Sequence, residues 1–66
     1  MIEAPELRLQ NKALDRLACV YHRPKNVAYP YVVKAGNAKQ FTQSMEFRDY
    51  TDASLYAGEY IYEKEG

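Results

Sequence analysis

The stretch between Pro5 and Pro24 constrains the fold of this chain more than any other feature. Proline suits the first turn of a helix and prevents a helix from continuing through it, so we expect a helix over residues 5–22. At 100° per residue, one half of this helix is almost wholly apolar and the other half is polar. The apolar half comprises Leu7, Leu9, Ala13, Leu14, Leu17, Ala18, Val20 and Tyr21. The pattern therefore predicts an amphipathic helix that covers a hydrophobic core.

A β-hairpin is predicted next along the chain. Residues 27–33 are rich in Val and Tyr, and Gly36-Asn37 is typical of a two-residue turn with a positive φ at Gly36. That turn pairs Val33 with Gln40, Val32 with Phe41, Tyr31 with Thr42, and Tyr29 with Ser44. The face that should meet the helix carries Ala28, Pro30, Val32, Phe41, Met45 and Phe47. Because Pro30 lacks a backbone donor, its strand is expected at an edge of the sheet.

The C-terminal segment favours a second helix. Thr51 is a candidate N-cap, with Tyr50 and Leu55 at staple positions around it. Ala53, Tyr56, Ala57, Tyr60 and Ile61 then form a helical stripe. The alternative is a short helix that ends at Gly58, followed by a third strand over residues 59–63.

The expected fold class is thus α+β: an N-terminal amphipathic helix packed on an antiparallel β-hairpin, followed by a C-terminal helix, or by a short helix and a third strand. At 66 residues the chain is too short for two cores, so residues 1–66 are expected to form one small domain. An apolar fraction of 47% with 14% aromatic residues indicates that it folds.

Cysteine content indicates the compartment. Cys19 is the only cysteine, so no internal disulfide is possible and a reducing compartment is expected. The N-terminus has no apolar stretch suited to a signal peptide, and no apolar run in the sequence is long enough to span a bilayer. We therefore expect a cytoplasmic protein.

Charge is unevenly spread along this formally neutral chain. Residues 8–39 contain seven Lys or Arg against the single acid Asp15, whereas residues 46–66 contain six acids against Arg48 and Lys64. Such a chain offers partners two differently charged surfaces, unless the two halves attract each other within the fold.

Catalysis and metal binding are not expected. The predicted helix places Asp15, Cys19 and His22 on one polar arc, but a structural zinc site normally needs four ligands, and a solvated helix face explains the arc better. A cysteine nucleophile paired with His22 would need a cleft and an oxyanion hole that so small a domain has little room to build. We expect no metal, no cofactor and no enzymatic activity.

Seven tyrosines in 66 residues favour a binding surface, because tyrosine combines apolar area with a polar tip. The residues predicted to contact a protein partner are Tyr29, Tyr31, Arg48, Asp49, Asp52, Leu55, Glu59 and Tyr62. The alternative is nucleic-acid binding by a basic stripe on the predicted N-terminal helix, aided by Tyr29 and Tyr31. That stripe comprises Arg8, Lys12, Arg16 and Arg23. It also has the simpler interpretation of a solvated face.

Residues 45–60, MEFRDYTDASLYAGEY, resemble the strand followed by an alanine- and tyrosine-striped helix of small phage-encoded host-takeover and anti-defence (anti-CRISPR-like) inhibitors. The resemblance covers about a quarter of the chain. It implies a compact, non-enzymatic protein that blocks a host protein or protein complex by occupying its surface. A homodimer is a further possibility, since so small a core gains stability when association buries more apolar area.

Overall fold

The computed structural model describes residues 4–62, which form a four-stranded antiparallel sheet followed by one helix. The elements are β1 (Leu7–Asn11), β2 (Arg16–His22), β3 (Tyr31–Gly36), β4 (Phe41–Phe47) and α1 (Tyr50–Tyr62). Each strand pairs with the next in the order β1-β2-β3-β4, so β1 and β4 are the edges of the sheet formed by the described residues. The helix packs on one face of the sheet, mainly over β2 and β3. We call this the helix-side face and the other the open face.

The core lies between the helix and the two central strands. Ala53, Ala57 and Ile61 recur at intervals of four along α1 and are almost completely buried. They meet the alternate residues of β2 and β3 that point to the helix side, which are Ala18, Val20, Val33 and Ala35. Because alanine is small, the helix lies close to the sheet. Larger half-buried side chains surround this centre: Leu7, Leu9, Tyr31, Phe47, Tyr56 and Tyr60.

The predicted N-terminal helix is wrong, and β1, a turn and β2 replace it. Residues 12–15 form the turn, in which the Asn11 side-chain oxygen accepts a hydrogen bond from the Leu14 N–H at 3.2 Å. Asp15 ends the turn in a left-handed conformation, φ 53°, which Asp tolerates better than most residues. The apolar pattern was misleading because β2 buries residues on both of its faces, so the alternation that identifies a half-buried strand is absent there.

Side chains from the first hairpin hold the C-terminal end of α1 in place. The Asn11 amide donates to the Ile61 carbonyl oxygen at 2.7 Å, and the Arg16 guanidinium donates to the Tyr60 carbonyl oxygen at 2.7 Å. Arg16 also lies over the Tyr60 ring, 5.3 Å from its centroid. Carbonyls in the last turn of a helix have no partner within the helix, and the last turn of α1 contains no basic residue. The hairpin therefore supplies both the donors and the positive charge that this helix end requires.

The predicted β3–β4 hairpin is present, but its register is wrong. Val33 pairs with Met45 instead of Gln40, a shift of five residues, and Tyr31 pairs with Phe47. An odd shift moves every side chain of one strand to the other face, so Val32 lies on the open face and Val33 in the core. The strand after Pro30 is also central instead of lying at an edge, because it begins at Tyr31, beyond the proline.

The turn chemistry explains the shifted register. The loop spans residues 37–40, and the Asn37 side-chain oxygen accepts from the N–H groups of Lys39 at 2.8 Å and Gln40 at 3.0 Å. Gly36 does not have the predicted positive φ. A side chain is excluded at Gly36 because its Cβ would lie only 2.7 Å from the Phe41 Cα. The sheet has a register irregularity at the same position. Glycine is therefore required for close backbone approach and not for a left-handed turn.

The C-terminal helix is present in its longer form and passes through Gly58 without a break. It begins one residue before the predicted cap Thr51, and the Ala53 N–H donates to the Asp49 carbonyl oxygen at 3.1 Å. The strand alternative over residues 59–63 is not formed up to Tyr62, and residue 63 lies outside the described residues. The chain is thus a small compact α+β domain, but with a four-stranded sheet and one helix in place of the predicted two helices and hairpin.

Candidate interaction surfaces

Four of the predicted partner-binding residues share the outward face of α1. Asp52, Leu55, Glu59 and Tyr62 follow one another at intervals of three, four and three residues, which places them within about a quarter turn of the side opposite Ala53. All four are exposed, with Leu55 at 59% and Tyr62 at 69%. We call this set the outer helix stripe. It places two large side chains, Leu55 and Tyr62, in solvent alongside two carboxylates.

The other four predicted partner-binding residues lie near the beginning of α1. Arg48 and Asp49 connect β4 to the helix, and the Arg48 guanidinium lies 5.7 Å from the Tyr29 ring centroid. Tyr31 is half-buried, stacked on His22 with the ring centroids 5.0 Å apart, and it meets Tyr50 edge-on at 5.7 Å. Tyr29 and Arg48 therefore form an exposed pair, whereas Tyr31 packs inside the domain.

The basic stripe does not form, because the helix that would carry it is absent. Arg8 points to the open face from β1, and Lys12 lies in the β1–β2 turn. Arg16 points to the opposite, helix-side face and binds the end of α1, while Arg23 begins the β2–β3 loop. The sheet thus separates residues that the helical interpretation placed together.

The open face is apolar at its centre and cationic above it. Leu17, Cys19 and Val32 are each less than a tenth exposed although no helix covers them. Arg8 pairs with Cys19 across the first hairpin and Lys34 pairs with it across the next, and the Lys34 Nζ lies 5.3 Å from the Tyr21 ring centroid. The long cationic side chains therefore shield the apolar centre with their aliphatic stems. Burial raises the pKa of the Cys19 thiol, while the Arg8 charge and a hydrogen bond with Tyr21 lower it by less.

A groove of about 1000 Å³ lies where the β2–β3 loop crosses the open face. Arg23, Lys25 and Lys34 line it together with a single carboxylate, Glu46. The Glu46 side chain accepts a hydrogen bond from the Asn26 amide at 3.0 Å, which ties the loop to β4. The groove therefore has an excess of positive charge, in contrast to the acidic outer helix stripe on the other side of the molecule.

Asp15, Cys19 and His22 do not come together as the predicted helix would have placed them. Asp15 lies in the first turn, Cys19 points to the open face, and His22 packs on Tyr31. Within residues 4–62, no three His, Cys, Asp or Glu side chains are close enough together to hold a metal ion. Over the same residues, the structure contains no helix with the length and apolar character to cross a membrane.

The exposed edge strand β4 was missed at the sequence level. Phe41, Met45 and Phe47 were all assigned to a face buried under a helix, yet Phe41 is 39% exposed and Met45 46% exposed. Only Phe47 packs inward, against Tyr56. Two features of FTQSMEF could have indicated an exposed edge strand: the polar residues at alternate positions and the presence of only one charged residue.

Comparison with protein-family models, with curated proteins and with solved structures finds no match to this chain.

Proposed function

We propose that this protein is a non-enzymatic protein-binding module that acts by covering a surface of its partner through the outer helix stripe. The observation that carries the proposal is the exposure of Leu55 and Tyr62 on the outward face of α1. Large apolar side chains that recur on one helix face, flanked by charge, are typical of a helix that docks in a groove.

The chemistry of the stripe defines the partner. Burying a Leu side chain that was fully exposed contributes about 1.5–3 kcal/mol, and an aromatic residue adds a large contact area with little loss of side-chain entropy. Asp52 and Glu59 lie beside these anchors, and the part of the stripe that the structure describes contains no basic residue. The matching surface is an apolar groove with Lys or Arg along its rim, and charge complementarity would speed association and select against acidic partners.

Occlusion of a host protein by a phage-type inhibitor is the specific form of this proposal. It is supported by the resemblance of residues 45–60, which comprise the end of β4 and most of α1, to such inhibitors. The proposal places this interaction in the cytoplasm, since a lone and buried Cys19 suits a reducing compartment.

Affinity capture with matched variants tests the proposal. Wild-type protein, a Leu55→Ala/Tyr62→Ala variant and an open-face control, Lys25→Ala, are used as baits in host lysate with and without nuclease treatment. A partner identified by mass spectrometry is then purified and its affinity for each bait measured. We expect the stripe variant to bind at least tenfold more weakly and the control to bind like the wild type. Equal binding by all three, or capture that disappears after nuclease treatment, would rule out the outer helix stripe.

Nucleic-acid binding is a second candidate, favoured by the cationic groove on the open face. Arg23, Lys25 and Lys34 line it, and Tyr21 and Phe41 lie on the same face of the sheet. Aromatic side chains on an open sheet surface can stack bases, and each neutralised phosphate makes binding more dependent on salt. A gel shift with single-stranded DNA and RNA at low salt tests this candidate. Nucleic-acid binding by the groove requires salt-sensitive binding that is weaker in the Lys25→Ala/Lys34→Ala variant than in the wild type and is unchanged in Leu55→Ala.

A further inference from the structure

We propose that β4 is a self-association edge: two copies of the chain pair their β4 strands antiparallel, about a twofold axis at Ser44, and so join their sheets into one. This proposal does not require a foreign partner or the binding function proposed for the outer helix stripe. The observation behind it is that the outer edge of β4 is exposed and unprotected.

β4 lacks the features that usually protect an edge strand. Its seven residues, FTQSMEF, contain no Lys, Arg or Pro, and Glu46 is the only charged residue. Six of the seven are exposed, and α1 lies mainly over β2 and β3. Within residues 4–62 no strand pairs with the outer side of β4, so alternate backbone N–H and C=O groups there face outward.

The opposite edge, β1, is a poorer candidate. It has five residues, one of which is the charged Arg8. At its end, Asn11 is already bound to the C-terminus of α1. Each strand contains one charged residue, but β4 is two residues longer and therefore presents more backbone groups to a second strand. β4 is therefore the edge that fits a second strand.

Symmetry restricts the register to a few choices. A twofold axis perpendicular to the sheet keeps helix-side residues on the helix side, so each residue must face a partner residue of the same parity. An axis at Ser44, the middle of the strand, pairs residues 42–46 of the two copies. Phe41 and Phe47 stay outside this pairing, because the register irregularity near Gly36 places Phe41 on the open face whereas Phe47 packs on the helix side. This axis sets Gln43 opposite the partner's Met45 and Thr42 opposite the partner's Glu46. The two Glu46 carboxylates are then well separated.

Grooves on both sides of β4 fit the side chains that this register brings in. On the helix side, a groove of about 680 Å³ is lined by Gln43, Tyr56 and Tyr60 together with Glu59 and Tyr62 of the outer helix stripe, and the partner's exposed Met45 would enter it. On the open side, a shallower groove of about 360 Å³ is lined by Lys34, Phe41 and Thr42. The partner's Glu46 would approach Lys34 there. The strand thus meets its own apolar and charge complement, which favours a second copy over an unrelated peptide.

Disulfide trapping tests both the dimer and its register. In a Cys19→Ala background, Ser44→Cys is compared with Thr42→Cys under mild oxidation on a non-reducing gel. Directly opposed residues have Cα atoms about 4.5–5.5 Å apart, within disulfide range, whereas the two Thr42 positions would be displaced by four residues, about 13 Å. We expect Ser44→Cys to form the covalent dimer at least tenfold faster. Equal rates, or no cross-link at either position, would overturn the proposed pairing.

Sedimentation equilibrium of proteins with no introduced cysteine provides the second measurement. Ser44→Lys sets two ammonium groups directly opposite each other, so its dissociation constant should rise at least tenfold, whereas Thr42→Lys faces Glu46 and should dimerise like the wild type. Wild-type protein that stays monomeric at about 1 mM would refute the dimer. Leu55 lies outside the helix-side groove, so Leu55→Ala should leave the dimer intact. Ser44→Lys should not weaken partner capture by the stripe, so failure of one proposal is distinguishable from failure of the other.

Discussion

At the scale of single residues, Asn11 links two parts of the molecule that are distant in sequence. Its side-chain oxygen accepts from the Leu14 N–H in the first turn, while its side-chain nitrogen donates to the Ile61 carbonyl at the end of α1. An amide has both groups, whereas an ionised carboxylate has acceptors only and cannot reproduce the same pair of bonds. The residue that shapes the first hairpin therefore also positions the last turn of the helix.

Replacing Asn11 is expected to destabilise the fold. Asn11→Ala loses both hydrogen bonds and should lower the free energy of unfolding by about 1–2 kcal/mol. Asn11→Asp retains the acceptor but adds negative charge at the helix C-terminus, so it should cost at least as much. Urea unfolding monitored by circular dichroism measures both. Lys12→Ala, at an exposed position in the same turn, is the control, and a loss as large as that of Asn11→Ala would contradict this role for Asn11.

The raised pKa of the Cys19 thiol predicts a pH-dependent contribution to stability. A thiol whose pKa is higher in the folded state than in the unfolded state binds its proton more tightly when folded. Its contribution is therefore fully present below the ordinary thiol pKa, about 8.5, and is lost as the pH rises through the folded-state pKa. Urea unfolding between pH 7 and pH 10 should show a steeper alkaline loss for the wild type than for Cys19→Ala. Parallel curves would show that the thiol is not linked to folding.

At the scale of elements, adjacent positions on α1 should respond oppositely to added atoms. Nothing lies within 4 Å of a Cβ built on Gly58, so Gly58→Ala should gain about 0.5–1 kcal/mol from helix propensity. Ala57 is completely buried against the sheet, so Ala57→Leu should lose about 1–3 kcal/mol or more by overpacking. Thermal and urea unfolding measure both changes. Stabilisation by Ala57→Leu would mean that the helix packs less closely than described.

The elements that sequence could predict are those with a local signal. The helix α1 was predictable because Ala53, Ala57 and Ile61 recur at its period, and the second hairpin because Val-rich residues precede a Gly-Asn turn signal. The outer helix stripe followed from the same period. The first hairpin was not predictable in this way, because β2 is buried on both faces and its partner Leu7–Asn11 was absorbed into a helical pattern.

The remaining errors arose from tertiary contacts that a local pattern does not contain. The register of β3 and β4 depends on the hydrogen bonds of Asn37 and the close approach at Gly36, neither of which a turn dipeptide specifies. The basic stripe was lost because it depended wholly on the helix. Phe41 and Met45 were expected under a helix because large apolar side chains usually face a core, whereas α1 lies mainly over β2 and β3.

At the scale of the whole molecule, opposite charges lie on the two sides of one small core. The carboxylates of the outer helix stripe face away from the sheet, and the cations Arg8, Lys25 and Lys34 lie on or beside the open face. This separation does not follow the two charged segments of the sequence, since Arg16 binds the end of α1 and Glu46 lies in the groove of the open face. The buried core is the apolar layer between helix and sheet.

That layer predicts that the helix and the sheet unfold together. Ile61, Val20 and Val33 are the largest completely buried side chains, and they come from α1, β2 and β3. Ile61→Val removes one methylene from their contact and should lower the free energy of unfolding by about 0.5–1.5 kcal/mol, a substantial share for a domain this small.

Two spectroscopic probes measure whether the helix and the sheet lose stability together. Helical circular dichroism reports α1, and tyrosine fluorescence reports the sheet as well, so both should shift to the same lower urea midpoint in Ile61→Val. Leu55→Ala, on the exposed side of the same helix, should change the midpoint very little. Separate midpoints for the two probes would show that α1 detaches before the sheet unfolds. Because all three large core side chains meet at the helix, a sheet without α1 would expose its apolar centre, and we expect a single transition.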